Sequence, residues 1–241
     1  MNFIWDGIEQ AWHLLLHPDD ALLDVVEVTL RVAFLSTLIA LAIGLPIGLA
    51  LGLGRFRGRG AMLTLANAGL ALPPVLVGLV AALLLFRQAP LGGLDLIYTV
   101  NGVIFAQALL SIPIVAALSA ASIQALPADL IEQARALGAS GAQRWALAIR
   151  EARIGIVAAA AAALGSALSE VGLVVLVGGN ITGETQTLAS AILTEVAAGD
   201  YGRGIAFGVL LVGLILVLSA VLTVVQHGSR PGPGPRRAMA R

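Results

Sequence analysis

Lysine and cysteine are both absent from these 241 residues, and charged residues of any kind make up only 12%. Without cysteine there is no disulfide, no thiolate nucleophile and no Cys-ligated metal. The net charge is zero, so no global field argues for a nucleic-acid partner, and none is expected. Also missing is the GxxxxGKS or GxxxxGKT loop that cradles nucleotide phosphates, so the chain does not bind and hydrolyse ATP by that route. No nucleophile, base and orienting group can be assembled from the spacing. An enzyme is not indicated, and no cofactor is implied.

What the sequence has in quantity is apolar residues, 59% of the chain at a mean hydropathy of +0.95. Soluble domains are roughly half apolar and a quarter charged, so this composition reads as an all-α polytopic membrane protein. Five runs reach the roughly 20 residues a helix needs to cross a bilayer. They cover about 28–53, 61–86, 102–123, 154–177 and 204–226. Gly44, Pro46, Gly48 and Gly52 interrupt the first, Pro73-Pro74 the second and Pro113 the third. Such breaks are tolerated in a membrane where neighbouring helices or a cavity satisfy the freed backbone groups. They are either kinks lining a path or packing kinks.

Three domains follow: an N-terminal interfacial segment over 1–24, a transmembrane unit over 25–227 with a polar loop at 127–153, and a tail over 228–241. The first has no basic stretch ahead of an apolar one and is not read as a signal peptide. Phe3, Ile8, Trp12, Leu15 and Leu16 fit one face of a helix lying at the membrane interface. His13 and His17 are spaced as two metal ligands on a helix, but no third ligand has matching spacing, so solvated or interfacial histidines are expected and no metal. The tail is rich in proline, glycine and arginine and is expected to be disordered, near anionic lipid.

All fourteen basic residues are arginine, and their placement gives the orientation. Arg55, Arg57 and Arg59 share one loop, Arg135, Arg144, Arg150 and Arg153 the polar loop, and Arg230, Arg236, Arg237 and Arg241 the tail. With five spans these segments fall on one side, which the positive-inside rule makes cytoplasmic. The N-terminus is then outside.

The polar loop, LPADLIEQARALGASGAQRWALAIREARIGI from Leu126 to Ile156, reads as two short helices around a turn. Pro127 suits a helix start, Gly138 a helix stop, and Ser140 with Gln143 a capping box opening a second helix that carries Trp145 and Ile149 towards the next apolar run. An ordinary surface hairpin is one reading. Glu132-Gln133-Ala134, with Gly138 six residues after the glutamate, resembles the EAA loop of binding-protein-dependent ABC importer permeases. Gln133 departs from that pattern's first alanine, and Arg150-Glu151 stands at its Leu-Pro position. The resemblance implies a type I permease fold and a cytoplasmic coupling helix, docked through Glu132, Gln133, Ala134 and Gly138 on a separate ABC ATPase subunit. It also implies an extracytoplasmic solute-binding protein and a second copy of the chain. The cytoplasmic side given by the arginines is the side where an ATPase would sit.

A second stretch, GSALSEVGLVVLVGGNITGETQTLASAILTE from Gly165 to Glu195, is similar to the segment after the EAA loop in molybdate, sulfate and tungstate permeases. Ser169 replaces a glycine of that pattern and Thr182 a proline. Arg150-Glu151-Ala152-Arg153 is most like the tungstate branch. Pro73, Pro74, Pro113, Ser169, Glu170 and Gly172 are the candidate path or gating residues. Gly165, Ser169 and Gly172 form a small-residue stripe that suits either a two-fold interface or a tight contact within one subunit. Gly178-Gly179-Asn180 reads as a helix cap and turn, with a backbone nest for an anion as the alternative. Glu170 lies within the fourth run, in the outer half of the membrane, as Arg31 does in the first. Either the two pair, or Arg31 snorkels to the surface while Glu170 meets hydroxyls or water.

Overall fold

The computed structural model describes residues 3–228, so expectations for the tail fall almost wholly outside the described residues. Eleven α-helices and one 3-10 turn, Gly92–Leu94, make up the ordered elements among them, with no strand. The helices are α1 (Phe3–Leu16), α2 (Asp20–Leu53), α3 (Arg59–Gly69), α4 (Pro74–Leu85), α5 (Val100–Gln124) and α6 (Ala128–Ala136). After them come α7 (Gly141–Glu151), α8 (Arg153–Ser169), α9 (Gly172–Gly178), α10 (Leu188–Ala197) and α11 (Tyr201–Gly228). Three of these, α2, α5 and α11, are long and apolar enough to cross a membrane alone, and two bent pairs, α3 with α4 and α7 with α8, raise the number to five if each is one span.

The tightest packing in the bundle joins α2 to α5, and glycine makes it possible. A Cβ on Gly44 would lie 2.9 Å from Val115 Cβ, one on Gly48 2.7 Å from Ser119 Cβ, and one on Gly52 2.7 Å from Ile123 Cγ2. These one-turn steps advance together on both helices, so α2 and α5 run parallel with their backbones in close approach. Gly44, Gly48 and Gly52 are therefore a packing seam and not breaks, and both helices continue through Pro46 and Pro113. Antiparallel to this pair runs α8, with Ala163 against Ala40 and Val115 in one buried cluster and Ala167 and Leu168 against Ala33 in another.

The expected second and fourth spans are both divided. At Leu70–Pro73 the chain turns by 102° between α3 and α4, because two consecutive prolines supply no N–H and fix φ, which ends one helix and starts the next. At Glu170 the backbone becomes extended, and α8 gives way to α9. Periodicity could not reveal this second break, since the runs on both sides of Ser169-Glu170 are apolar and no proline marks it. The continuous small-residue stripe is thereby corrected. Gly165 faces open space, whereas Gly172 nests against Val75 and Gly78 against Leu173, which sets α9 beside α4 and parallel to it.

Along α11, α1 packs antiparallel, with Gly7 against Ile205 and Gly202 near Gln10. Its buried face is Ala11 and Leu14, while Trp5, Ile8 and Trp12 point outwards. Ile8, Trp12 and Leu16, expected on a face at the membrane interface, are exposed, a pattern that suits contact with lipid. Where α1, α2, α10 and α11 meet, Arg203 reaches Asp19 at 3.8 Å and Glu195 at 3.6 Å and lies over the Phe207 ring.

Candidate functional site

At the arginine-rich end of the bundle, α6 and α7 form a hinged pair whose geometry follows from its caps. Gly138 has φ +83°, its N–H donates to Arg135 O at 3.0 Å, and the N–H of Ala139 donates to Ala134 O at 2.9 Å. That is the Schellman arrangement, which needs a left-handed residue at the position glycine occupies. The sequence-derived capping box is present: Ser140 N–H donates to Gln143 Oε1 at 2.7 Å, and Gln143 N–H to Ser140 Oγ at 3.3 Å. One helix is thus stopped and the next started within four residues.

Of the EAA-like residues, Glu132 accepts a 3.0 Å hydrogen bond from Arg55 Nη2, and Gln133 donates to Asp129 Oδ2 in its own helix at 2.7 Å. Ala134 contributes the carbonyl that closes the cap. The face of α7 that packs inwards is Ala148, completely buried with Leu49, Ile123 and Ala152. As expected, α7 carries Trp145 and Ile149 and leads into the next apolar run. Both are exposed, as is Leu137, at 89%, beside the Gly138 turn. Beside it, a cleft of about 440 Å³ opens between the ends of α2 and α5, the start of α3, and α6 with α7.

The other candidate residues lie near one another at half-buried to exposed positions, with Pro73 and Ser169 exposed. Because α4 and α9 start side by side, the Pro73-Pro74 break and the Ser169-Glu170 break adjoin, and Gly172 touches Val75 between them. Pro113 packs its ring on Gly69, the last residue of α3, just before the same break. Glu170 is half-buried and accepts from the N–H of Leu173 at 3.2 Å, so its carboxylate caps α9. Arg31 is exposed, and no ion pair joins it to Glu170 among the described residues. The pairing does not form in this conformation; the Glu170 carboxylate turns to the Leu173 N–H instead.

The GGNITGETQTL stretch is held by its own side chains. Gly179 closes α9 with φ +74°. Thr185 Oγ1 donates to Gly178 O at 2.7 Å and accepts from Ile181 N at 2.9 Å. Asn180 and Gln186 both donate to Thr194 Oγ1, at 2.8 and 3.1 Å. Thr187 and Ser190 cap α10 reciprocally, and Leu188 N donates to Thr29 Oγ1 on α2 at 2.8 Å. A helix cap and turn is what forms at Gly178-Gly179-Asn180. Sequence reasoning passed over Gln107: fully buried on α5, it has neither amide atom bonded among the described residues, and Ser111 Oγ one turn later and Thr37 Oγ1 on α2 are buried and unbonded as well.

Known proteins match this chain throughout. The model of the family described as binding-protein-dependent transport system inner membrane component matches residues 44–231. A probable anion ABC transporter permease protein of Haloferax volcanii is 39% identical over 83% of this chain and 88% of its own length. The tungstate uptake system permease protein TupB of Peptoclostridium acidaminophilum is 32% identical over 94% of this chain and all of its own. Permeases of sulfate and molybdenum transport systems match at 25 to 28% identity. In fold, the chain resembles the inward-facing MetNI methionine ABC transporter with a TM-score of 0.68, over 87% of this chain and 96% of that one, at 21% identity.

Proposed function

Because the chain belongs to the family of binding-protein-dependent transport system inner membrane components, we propose that it is the permease through which an ABC importer carries tungstate. It is an inner membrane transport component for an oxyanion and not an enzyme. The observation that carries the finer reading is the match to a tungstate permease over 94% of this chain and the whole of the relative. Molybdate and sulfate are the competing cargoes.

In this reading α6 and α7 face the cytoplasm and dock on the ATPase, with Glu132, Gln133, Ala134 and Gly138 in the coupling surface. Its support is physical: the Schellman and capping-box pair makes a rigid projection, and Leu137, Trp145 and Ile149 leave apolar area uncovered at its edge. A solute-binding protein delivers the anion at the opposite end. The path passes the junction of the two broken helices, where Pro73, Pro74, Pro113, Ser169, Glu170 and Gly172 gather. Non-helical backbone at membrane depth is tolerated where it is buried in protein or lines a cavity. Two copies enclose the path, with exposed Val75, Leu76, Leu79 and Leu83 of α4 available to the second, while the outer faces of α2 and α11 meet lipid.

The test is uptake in cells lacking this gene. Tungstate accumulation from trace supply is expected to fall to background while sulfate uptake persists. Unchanged tungstate accumulation with loss of another solute rejects tungstate as the cargo.

A further inference from the structure

The cleft between α2, α5, α6 and α7 carries more positive charge than its one acid can balance. Arg55, Arg59, Arg135 and Arg144 line it, with Glu132 as the sole carboxylate among the described residues. Arg55 is engaged by Glu132, and the Nε of Arg59 donates to Leu51 O at 2.7 Å, closing the end of α2. Arg144 is different. Its Nε is shut away from solvent with no acceptor among the described residues. A guanidinium N–H hidden from water without an acceptor is an unmet demand, and what it asks for is an oxygen carrying negative charge. Leu53, Ile123 and Ile131 add apolar lining. About 440 Å³ is more than ten times the share of one water, roughly 30 Å³, so there is room for a hydrated ion or a headgroup.

We propose that this cleft binds a tetrahedral phosphate-type oxyanion, either free or as the phosphate of an anionic lipid headgroup. The fork of an arginine matches such an anion with paired N–H bonds, and Arg135 and Arg144 approach from α6 and α7, on either side of the Gly138 hinge. An anion seated there also competes with Glu132 for Arg55, so occupancy reaches the EAA-like motif directly. The site does not depend on which solute is transported, and tungstate import stands or falls separately.

The chain has three tryptophans, and Trp5 and Trp12 are exposed on α1, so Trp5→Phe with Trp12→Phe leaves Trp145 as the sole reporter, adjacent to Arg144. The protein, in phosphatidylcholine nanodiscs, is titrated with inorganic phosphate and with chloride at equal ionic strength. A saturable fluorescence change with phosphate alone is expected. Arg144→Gln and Arg135→Gln should each weaken it about tenfold, the loss of one charge-assisted bond, and Arg57→Gln, outside the cleft, should not. A second arm adds phosphatidylglycerol to the nanodisc. If it shifts the phosphate curve to higher concentration, the headgroup is a ligand. If the curve is unmoved, the ligand is the free oxyanion. Identical phosphate and chloride titrations with no response to phosphatidylglycerol overturn the proposal. So does a change that appears only when the ATPase subunit is added, because the arginines then serve a protein partner.

Discussion

Glu132 on α6 and Arg55, in the loop after α2, meet at 3.0 Å, although 77 residues separate them in sequence. Their side chains are 66% and 87% exposed, and pairs so exposed contribute at most about 1 kcal/mol. The bond therefore orients the glutamate more than it holds the fold together. Glu132→Lys should leave the melting temperature of the purified protein within a few degrees of wild type while ATPase association weakens. Normal association and normal uptake in this variant would remove Glu132 from the coupling surface.

Gly138 has open space around the position a Cβ would take, so a larger residue there is opposed by backbone conformation and not by a clash. Holding an ordinary L-residue in the left-handed region costs about 1–2 kcal/mol, and asparagine tolerates it best. Gly138→Leu should insert in the membrane yet lose transport-linked ATP hydrolysis, with Gly138→Asn intermediate. Equal hydrolysis in all three proteins contradicts the coupling role.

The caps of the α6–α7 pair were legible because they depend on single residues at fixed spacing: Gly138, and Ser140 with Gln143. Gly44, Gly48 and Gly52 were visible, but sequence left a break in the helix and a packing site as alternatives. A glycine row that interrupts a helix and one that admits a neighbouring helix look alike until the partner, α5, is known. The break at Glu170 was illegible for a different reason. Hydropathy measures which residues prefer lipid, and both sides of this break do. Arg55 and Arg144 showed themselves in sequence only as markers of sidedness, because the cleft they share is assembled from distant segments.

Overpacking the α2–α5 seam should be costly. Gly48→Val places methyl groups against Ser119 and the Ala116 carbonyl, where a Cβ alone would already approach within 2.9 Å, and such insertions typically cost about 1–3 kcal/mol. Denaturant unfolding of the reconstituted protein measures it. Wild-type stability would mean that the two helices are not in contact along this row.

Glu170 caps α9 through an oxygen that glutamine also possesses. Glu170→Gln should retain both stability and transport, whereas Glu170→Ala should lose about 1 kcal/mol, the usual value of an N-terminal cap. If the glutamine variant is inactive at normal stability, the negative charge itself has a role in the path.

Transport in a defined system decides the central claim most directly. The permease is reconstituted in proteoliposomes with its ATPase, with its binding protein supplied on the outer face, and tungstate accumulation is followed on adding ATP to the ATPase side. The account predicts ATP-dependent accumulation of tungstate in preference to molybdate and sulfate, abolished by Gly138→Leu. Accumulation without ATP, or a preference for one of the other anions, would contradict it.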